Sequence, residues 1–290
     1  MGLLDGKVAI VFGASANNGG TAAHFMAREG AKIIAVDLVP EATNETVDFL
    51  RSRGHDAIGF TGDGANSEFV KSAVEEGAKH FGHIDVSLNM VGRQYRWPVW
   101  EINEFDWKRQ IDGFLTGGML VTKHVSKHMI EAGIKGSIIH ICSDAALQGE
   151  PGNSGYSAAK GGLLNFVRAA AMDLAYYGIR VNSISPTYIE HNMWRFGGVG
   201  GGRSRLRVTA NDFLQGIPLG RFCRASDLAN TVVFLASEMS SFLTAVDIPL
   251  DGGAGRKYWA WTPGLATGLT AEEYYKDTPR TRFGEVIEGQ

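Results

Sequence analysis

The sequence predicts an α/β fold, a doubly wound parallel β-sheet with helices on both faces. Short apolar runs alternate with longer helical patterns along the chain, which is typical of βαβ units with right-handed crossovers. The 290 residues suffice for one large domain, and the 44% hydrophobic and 20% charged content is that of a globular protein. The predicted strands cover residues 7–12, 32–36, 56–61, 84–88, 136–142, 179–185 and 245–249.

A glycine-rich turn follows the first strand. The strand ends at Phe12, the turn covers 13–20, and a helical pattern begins at Thr21. Glycine lets the backbone approach a pyrophosphate, and a helix N-terminus supplies amide groups and positive potential. Asp37 ends the second strand, where a carboxylate can accept hydrogen bonds from adenosine ribose hydroxyls. This order of strand, turn, helix and acid predicts a dinucleotide site.

A tyrosine and a lysine lie four residues apart in the predicted helix after the fifth strand. Tyr156 and Lys160 therefore share one helix face, and no other tyrosine of the chain has a lysine at this spacing. A free phenol has a pKa of about 10, but a neighbouring ammonium lowers the pKa and favours the phenolate. Tyr156 can then act as a general acid/base. The hydroxyl of Ser143, thirteen residues upstream, can hold the oxygen of the reacting group.

Together these motifs resemble those of the short-chain dehydrogenase/reductase family, from about Leu4 to Gly253. The resemblance implies a Rossmann-type fold, with a dinucleotide-binding catalytic domain over residues 1–253 and a C-terminal extension over 254–290. It implies that Ser143, Tyr156 and Lys160 are catalytic. The cofactor-binding residues that it implies are Gly13, Ser15, Asn17, Asn18, Gly19, Asp37, Asp63, Gly64, Asn89, Val91, Gly92, Tyr156, Lys160, Pro186 and Ile189.

The chain departs from the family pattern at three positions around the cofactor. Asn17 replaces the middle glycine of the turn, and we expect the turn to survive because asparagine tolerates the left-handed conformation. Thr187 follows Pro186 where glycine is usual. His191 replaces a threonine that typically contacts the nicotinamide carboxamide.

A fourth departure concerns proton delivery. Phe114 occupies the position of a family asparagine that helps to hold a water in the proton relay. Gly113, Gly117 and Gly118 surround it, and glycine is a weak helix former. We therefore expect a distorted helix here, in which a backbone carbonyl still holds a water near Lys160.

Two regions interrupt the alternating pattern. Residues 187–216 are rich in glycine, as suits a mobile lid over the substrate. Arg203, Arg205 and Arg207 in this region either clamp an anionic substrate group or form a solvated basic face. The extension over 254–290 is too aromatic for a disordered tail, and we expect it to pack on its own domain or on a neighbouring subunit, with Trp259 or Trp261 near a substrate pocket.

Several classes of partner are not expected. The net charge of −3 gives no reason to expect nucleic acid. The N-terminus lacks the features of a signal peptide, and no apolar run is long enough for a membrane span, so a cytoplasmic protein is expected. Two cysteines make a disulfide framework unexpected. His124 and His128 have helical spacing, but they are read as a surface helix face and no metal site is expected.

The favoured function is transfer of hydride between NAD(H) and a secondary alcohol or ketone, with Tyr156 as general acid/base. NAD is expected because Asp37 repels a 2′-phosphate and neither Leu38 nor Val39 offers a positive charge. Alternatives are a dehydrogenase of a cyclic diol or an aryl-substituted alcohol, and a non-catalytic NAD-binding redox sensor. The family is commonly dimeric or tetrameric, so a homo-oligomer, favouring a tetramer, is expected.

Overall fold

A computed structural model describes residues 2–190 and 214–256. Within this part of the chain, seven parallel strands form one sheet in the order β3-β2-β1-β4-β5-β6-β7. The predicted α/β fold class is confirmed, and each predicted strand is present with its ends within two residues of the observed ones. The strands are β1 (Val8–Phe12), β2 (Lys32–Asp37), β3 (Ala57–Thr61), β4 (Val86–Asn89), β5 (Ser137–Ile141), β6 (Arg180–Pro186) and β7 (Asp247–Leu250).

Helices alternate with these strands and cover both faces of the sheet. A π-helical turn over Ile111–Thr116 separates α4 from α5, so the predicted distortion around Phe114 is confirmed. None of the helices in the described ranges is long and apolar enough to cross a membrane. The α-helices are α1 (Asn18–Arg28), α2 (Pro40–Ser52), α3 (Ser67–Phe81), α4 (Glu104–Gln110), α5 (Gly117–Glu131), α6 (Ser154–Ala175) and α7 (Ala225–Ala236).

Two apolar cores lie on opposite faces of the sheet. Successive residues of a strand point to opposite faces, so Ala9 and Val11 pack with α1, α2 and α7, whereas Val8, Ile10 and Phe12 pack with α3, α5 and α6. All five side chains of β1 are fully buried. Because a strand covered on both faces reads as a continuous apolar run, this sandwich explains why β1 was recognisable from its sequence.

The strand order changes direction between β1 and β4, which are paired neighbours. The chain winds from β1 through β2 to β3 on one side, and from β4 to β7 on the other. In open parallel sheets, ligands bind in the crevice at the carboxyl ends of the strands at such a point. The fold therefore places the glycine turn after β1 and the segments after β4, β5 and β6 around one crevice.

Some predicted features fall outside the described residues. These are His191, the three arginines Arg203, Arg205 and Arg207, and the part of the extension that contains Trp259 and Trp261.

Candidate active site

In the glycine turn, the backbone after β1 lies close to the backbone of β2 and of the start of α1. Gly13 and Ala14 donate their N–H groups to the carbonyl of Val36, at 2.8 and 3.0 Å, which ties the turn to β2. A Cβ at Gly19 would overlap the carbonyl oxygen of Gly13, so a side chain there would push α1 away from the turn. The turn is thus built for close approach of the first turn of α1 to the end of β1.

The turn survives the replacement at Asn17, but not for the reason expected. Asn17 caps α1 with a φ of −154° and a ψ of −133°, so its backbone is not left-handed. Its carbonyl accepts the Thr21 N–H at 2.8 Å. No glycine is needed at this position, because it is a positive φ that favours glycine over other residues.

Asp37 lies at the end of β2 beside this turn. Its carboxylate accepts the backbone N–H of Val39 at 3.1 Å and also bonds the backbone of Leu38 and Ser15. Burial raises the pKa of Asp37 above its usual value, and these three hydrogen bonds oppose that shift. Leu38 and Val39 are exposed apolar residues, so they place no positive charge beside the carboxylate.

Further predicted cofactor residues lie at or just beyond the carboxyl ends of β3 and β6. Asp63 is exposed and accepts the Ala65 N–H at 2.8 Å. Gly64 is buried against Val91, and a Cβ there would lie 2.7 Å from its Cγ1. Pro186 ends β6 at the same edge of the sheet. Ile189 differs, because its side chain is 3% exposed and lies in the core that contains α1 and α7.

The dinucleotide implied by the resemblance fits these residues. No side chain fits at Gly19, where α1 meets the turn, and α1 begins at Asn18 directly beside it. A helix N-terminus in this position favours an anionic phosphate. Asn18 is buried, and its Oδ1 has no hydrogen-bond partner among the described residues. A buried polar atom without a partner is costly, and a ligand on the turn would supply one.

Ser143, Tyr156 and Lys160 are brought together between β5 and α6. Ser143 follows β5 and caps a short 3₁₀ helix, accepting the Ala145 N–H at 3.2 Å. Its hydroxyl bonds the Tyr156 phenol, which favours the phenolate. Lys160 is 4% exposed, and its Nζ donates to the carbonyl of Ile141 at 2.6 Å. The helical spacing of Tyr156 and Lys160 therefore places both on the face that meets β5.

The pKa of Tyr156 is shifted opposite to the prediction. Burial raises it to about 12, although the hydrogen bond from Ser143 lowers it, and Glu150 and Cys142 raise it further. Burial also lowers the pKa of Lys160 to about 8. The Lys160 Nζ lies 5.8 Å from the centre of the Tyr156 ring, and burial is the dominant cause of the shift in the phenol pKa. In this state Tyr156 is a phenol at neutral pH.

Thr187, where the family has glycine, makes a specific contact. Its hydroxyl bonds the Asp144 carboxylate, which lies just past Ser143. Burial and the nearby Asp251 raise the pKa of Asp144 to about 6, and the bond from Thr187 opposes this shift. The replacement therefore joins the segments after β5 and β6.

A hydrogen-bonded histidine that sequence reasoning missed lies beneath the site. His140, on β5, is fully buried, with Asn89 Nδ2 3.0 Å from its Nδ1 and Thr122 Oγ1 2.9 Å from its Nε2. Thr122 donates to the Gly118 carbonyl at 2.9 Å, so its oxygen is free to accept from Nε2–H. Burial and the Lys160 charge lower the pKa of His140 to about 3, so the ring is neutral.

His140 should make the fold sensitive to acid. Its pKa is lower in the folded protein than the ordinary value of about 6.5, so the unfolded chain binds the extra proton. Above about pH 6.5 the neutral His140 does not change the free energy of unfolding with pH. Below that pH, the free energy of unfolding should fall by about 1.4 kcal/mol per pH unit until the pH approaches 3. Urea unfolding from pH 4 to 7 should show that His140→Asn removes this slope. Equal slopes for wild type and His140→Asn would contradict the assignment, and exposed His80→Asn is the control.

A second group missed from the sequence is a polar cluster formed by Arg96, Glu150 and Tyr188. Arg96 Nη2 lies 2.5 Å from Glu150 Oε1 and 3.2 Å from the Tyr188 hydroxyl, which itself donates to Glu150 at 3.1 Å. Glu150 also accepts from Asn153 Nδ2 at 2.6 Å. The charges of Glu150 and Arg96 act on the Tyr156 phenol. The cluster therefore lies within electrostatic reach of the candidate acid/base.

The topology explains how these three residues meet. Arg96 follows β4, Glu150 follows β5 and Tyr188 follows β6, and these three strands are adjacent in the sheet. The carboxyl ends of adjacent parallel strands lie at one edge. The only sequence signal was their position after successive strands, because their separations of 54 and 38 residues carry no motif.

The weaker candidates are assigned other roles. His124 lies 3.0 Å from the Ser67 hydroxyl through its Nε2, which ties α5 to α3. No group of three or more metal-ligating side chains is present among residues 2–190 and 214–256.

Cys142 and Cys223 are free and buried, and burial raises the pKa of each thiol to about 12. Neither thiol is poised to react.

The chain is similar in sequence to known oxidoreductases. Residues 13–255 match a family model described as enoyl-(acyl carrier protein) reductase. The uncharacterized oxidoreductase YxbG of Bacillus subtilis (strain 168) is 35% identical over 287 residues, covering 96% of this chain and 99% of the relative. The cis-4-hydroxycyclohexanecarboxylate dehydrogenase of Sinomonas cyclohexanicum is 33% identical over 248 residues, covering 85% and 96%.

A solved structure extends the likeness to the fold. The crystal structure of NAD⁺-bound xylitol dehydrogenase superposes with a TM-score of 0.79 at 30% identity, over 86% of this chain and 99% of that one. The chain belongs to the short-chain dehydrogenase/reductase family of oxidoreductases, as its motifs predicted.

Proposed function

We propose that this protein transfers hydride between NAD(H) and a secondary alcohol or ketone. The observation that carries the proposal is the hydrogen bond between Ser143 and Tyr156, with Lys160 on the same helix face. These groups lie at the crevice that also contains the glycine turn and Asp37. NAD, when bound, supplies the hydride chemistry, and the protein orients the reactants.

Each of the three residues has a distinct task in this proposal. Ser143 holds the substrate oxygen by its hydroxyl. Tyr156 exchanges a proton with that oxygen, and with a pKa of about 12 it is in the form that donates to a ketone. Oxidation of an alcohol needs the phenolate, so it should be favoured by higher pH. Lys160, held by the Ile141 carbonyl, places a cation beside the phenol and towards the cofactor ribose.

The cluster of Arg96, Glu150 and Tyr188 favours an oxygen-rich substrate. Arg96 uses Nη2 for both of its bonds, so the N–H groups on Nε and Nη1 remain for another acceptor. Charged groups of this kind form strong hydrogen bonds with hydroxyl or carboxylate oxygens, whereas a bare aromatic ring offers no such hydrogen-bonding oxygen. Among the alternatives, a cyclic diol or similar hydroxylated alcohol is therefore preferred over an aryl-substituted one. Relatives named for hydroxycyclohexanecarboxylate and xylitol support this preference, whereas a relative named for a hydroxy(phenyl)methyl succinyl-CoA supports the aryl alternative.

A substrate screen tests this proposal. Purified protein with NAD should oxidise alicyclic diols, polyols or hydroxy acids better than aryl alcohols of similar size. Arg96→Met should lower kcat/KM for the oxygen-rich substrates by roughly 10- to 100-fold, the worth of a charged hydrogen bond. Arg93→Met, in the same loop, is the control and should leave kcat/KM unchanged. Equal losses on aryl and oxygen-rich alcohols would reject the assigned specificity.

Two further parts of the proposal concern assembly and the non-catalytic alternative. Exposed apolar side chains on α6 and just after it, Met172 and Tyr176, support a homo-oligomer. A redox sensor would bind NAD without turning over any alcohol. Single-turnover reduction of bound NAD by a substrate, followed at 340 nm, distinguishes the enzyme from the sensor.

A further inference from the structure

Phe114 lies directly against the candidate catalytic pair. The Lys160 Nζ sits 4.3 Å from the centre of the Phe114 ring, closer than its 5.8 Å to the Tyr156 ring. The Phe114 and Tyr156 rings meet edge to face, with centroids 5.0 Å apart and planes at 79°. Phe114 is 6% exposed, so its ring faces Lys160 in a largely dry environment.

The backbone is adapted to hold the ring there. Phe114 lies within the π-helical turn Ile111–Thr116, which changes the direction of its side chain relative to a regular helix. A Cβ at Gly92 would overlap the Phe114 ring, and the φ of +122° at Gly92 is one that glycine adopts freely. A Cβ at Gly113 would lie 3.1 Å from the Gly92 Cα. Two glycines therefore make room for a ring where the family has an asparagine.

We propose that Phe114 is a positioning residue that holds the Lys160 ammonium by a cation–π interaction, in place of the hydrogen-bonded asparagine of the family. This inference rests on the proposed function only for its effect on turnover. An ammonium within 6 Å of a ring centroid is attracted by the negative face of the ring. The Ile141 carbonyl accepts one N–H of the Lys160 ammonium. The Phe114 ring, in the π-helical turn between α4 and α5, contacts the same ammonium.

Few other charges act on Lys160. On β5, the Cys142 thiol raises the Lys160 pKa when ionised, but burial keeps this thiol neutral, and His140 is neutral as well. On α6, Tyr156 is a phenol at neutral pH. In the π-helical turn, Asp112 is paired with Lys108 at 2.5 Å. Among the described residues, therefore, no anion offsets the burial that lowers the Lys160 pKa to about 8. The Phe114 ring is the group in contact with Lys160 that favours the cation.

The test is to titrate Lys160 directly. Protein labelled with ¹³C at lysine Cε reports each lysine by NMR, and the signal lost in Lys160→Met assigns Lys160. Phe114→Leu keeps an apolar side chain but removes the ring face, and the Lys160 pKa should fall by about one unit. The alkaline limb of the kcat profile should move to lower pH with it. A one-unit fall from the Lys160 pKa of about 8 should lower kcat about twofold at pH 7 and about tenfold well above pH 8.

Two matched variants separate the ring face from packing. Phe166→Leu makes the same substitution on α6, at a ring whose centroid lies 6.3 Å from that of His140. This control should leave the Lys160 pKa unchanged. Insertion of 3,5-difluorophenylalanine at position 114 keeps the shape but weakens the negative ring face, so it should give a smaller shift in the same direction. The difluorophenylalanine variant also allows the test to be made if Phe114→Leu does not fold.

The outcomes are distinct. An unchanged Lys160 pKa in both position-114 variants would overturn the proposal. The NMR titration needs no substrate, so it tests the role of Phe114 even if no alcohol is oxidised. A protein that oxidises no alcohol but shows the expected shift of the Lys160 pKa would reject the proposed function and support the role of Phe114. Normal turnover with an unshifted Lys160 would leave the proposed function standing and reject the role of Phe114.

Discussion

Replacing Tyr156 by phenylalanine should lower kcat by a factor of about 10² to 10⁴, the usual contribution of general acid/base catalysis. The change removes the hydroxyl that bonds Ser143 and keeps the ring that packs edge to face against Phe114. The fold and the cofactor site should therefore be largely unaffected. Steady-state rates with NAD and the preferred alcohol measure the loss.

Two controls show whether a loss of kcat is specific to the Tyr156 hydroxyl. Tyr177→Phe removes a hydroxyl from a partly exposed tyrosine near the end of α6 and should leave kcat unchanged. The Kd for NADH, from protein fluorescence quenching, should be similar for Tyr156→Phe and wild type. If Tyr156→Phe kept more than about a tenth of wild-type kcat, the assignment of Tyr156 would be abandoned.

The second large effect is expected at Asp37. Its carboxylate lies beside the turn, with no positive charge on the exposed Leu38 and Val39 that follow. It should accept hydrogen bonds from the adenosine ribose and repel a 2′-phosphate. A hydrogen bond to a charged group contributes about 1.5–3 kcal/mol, so kcat/KM with NAD should exceed that with NADP by at least about 10- to 100-fold.

Asp37→Ser should remove most of this preference, because the serine keeps a hydrogen-bonding group and loses the charge. Asp48→Ser, at an exposed position on α2, is the matched control. The measurement is kcat/KM for each cofactor at saturating alcohol. Equal or better efficiency of the wild type with NADP would show that Asp37 does not face the ribose.

Elements that depend on local pattern were predictable. The strands were recognisable because a parallel strand covered on both faces is a continuous apolar run, as in the fully buried β1. Tyr156 and Lys160 were placed together because a spacing of four residues fixes their relation on any helix. The distortion at Phe114 followed from the glycines around it, since glycine weakens a helix wherever it occurs.

Other predictions failed because they concerned the surroundings of a residue. The lowered pKa expected for Tyr156 assumed that Lys160 was the dominant neighbour, but burial raises the pKa to about 12. Asn17 was expected to be left-handed, but its φ is −154°. Desolvation and backbone angles depend on what packs around a group, which spacing does not report.

The sequence by itself therefore determined the fold class, the order of the strands along the chain, the glycine turn and the candidate trio of Ser143, Tyr156 and Lys160. Only the tertiary structure decided that Arg96, Glu150 and Tyr188 form one cluster and that Phe114 lies on Lys160. Local patterns arise from the repeat of a helix or strand and can be read along the chain. Contacts between distant segments arise from the order in which strands pair, so they exist only once the sheet is assembled.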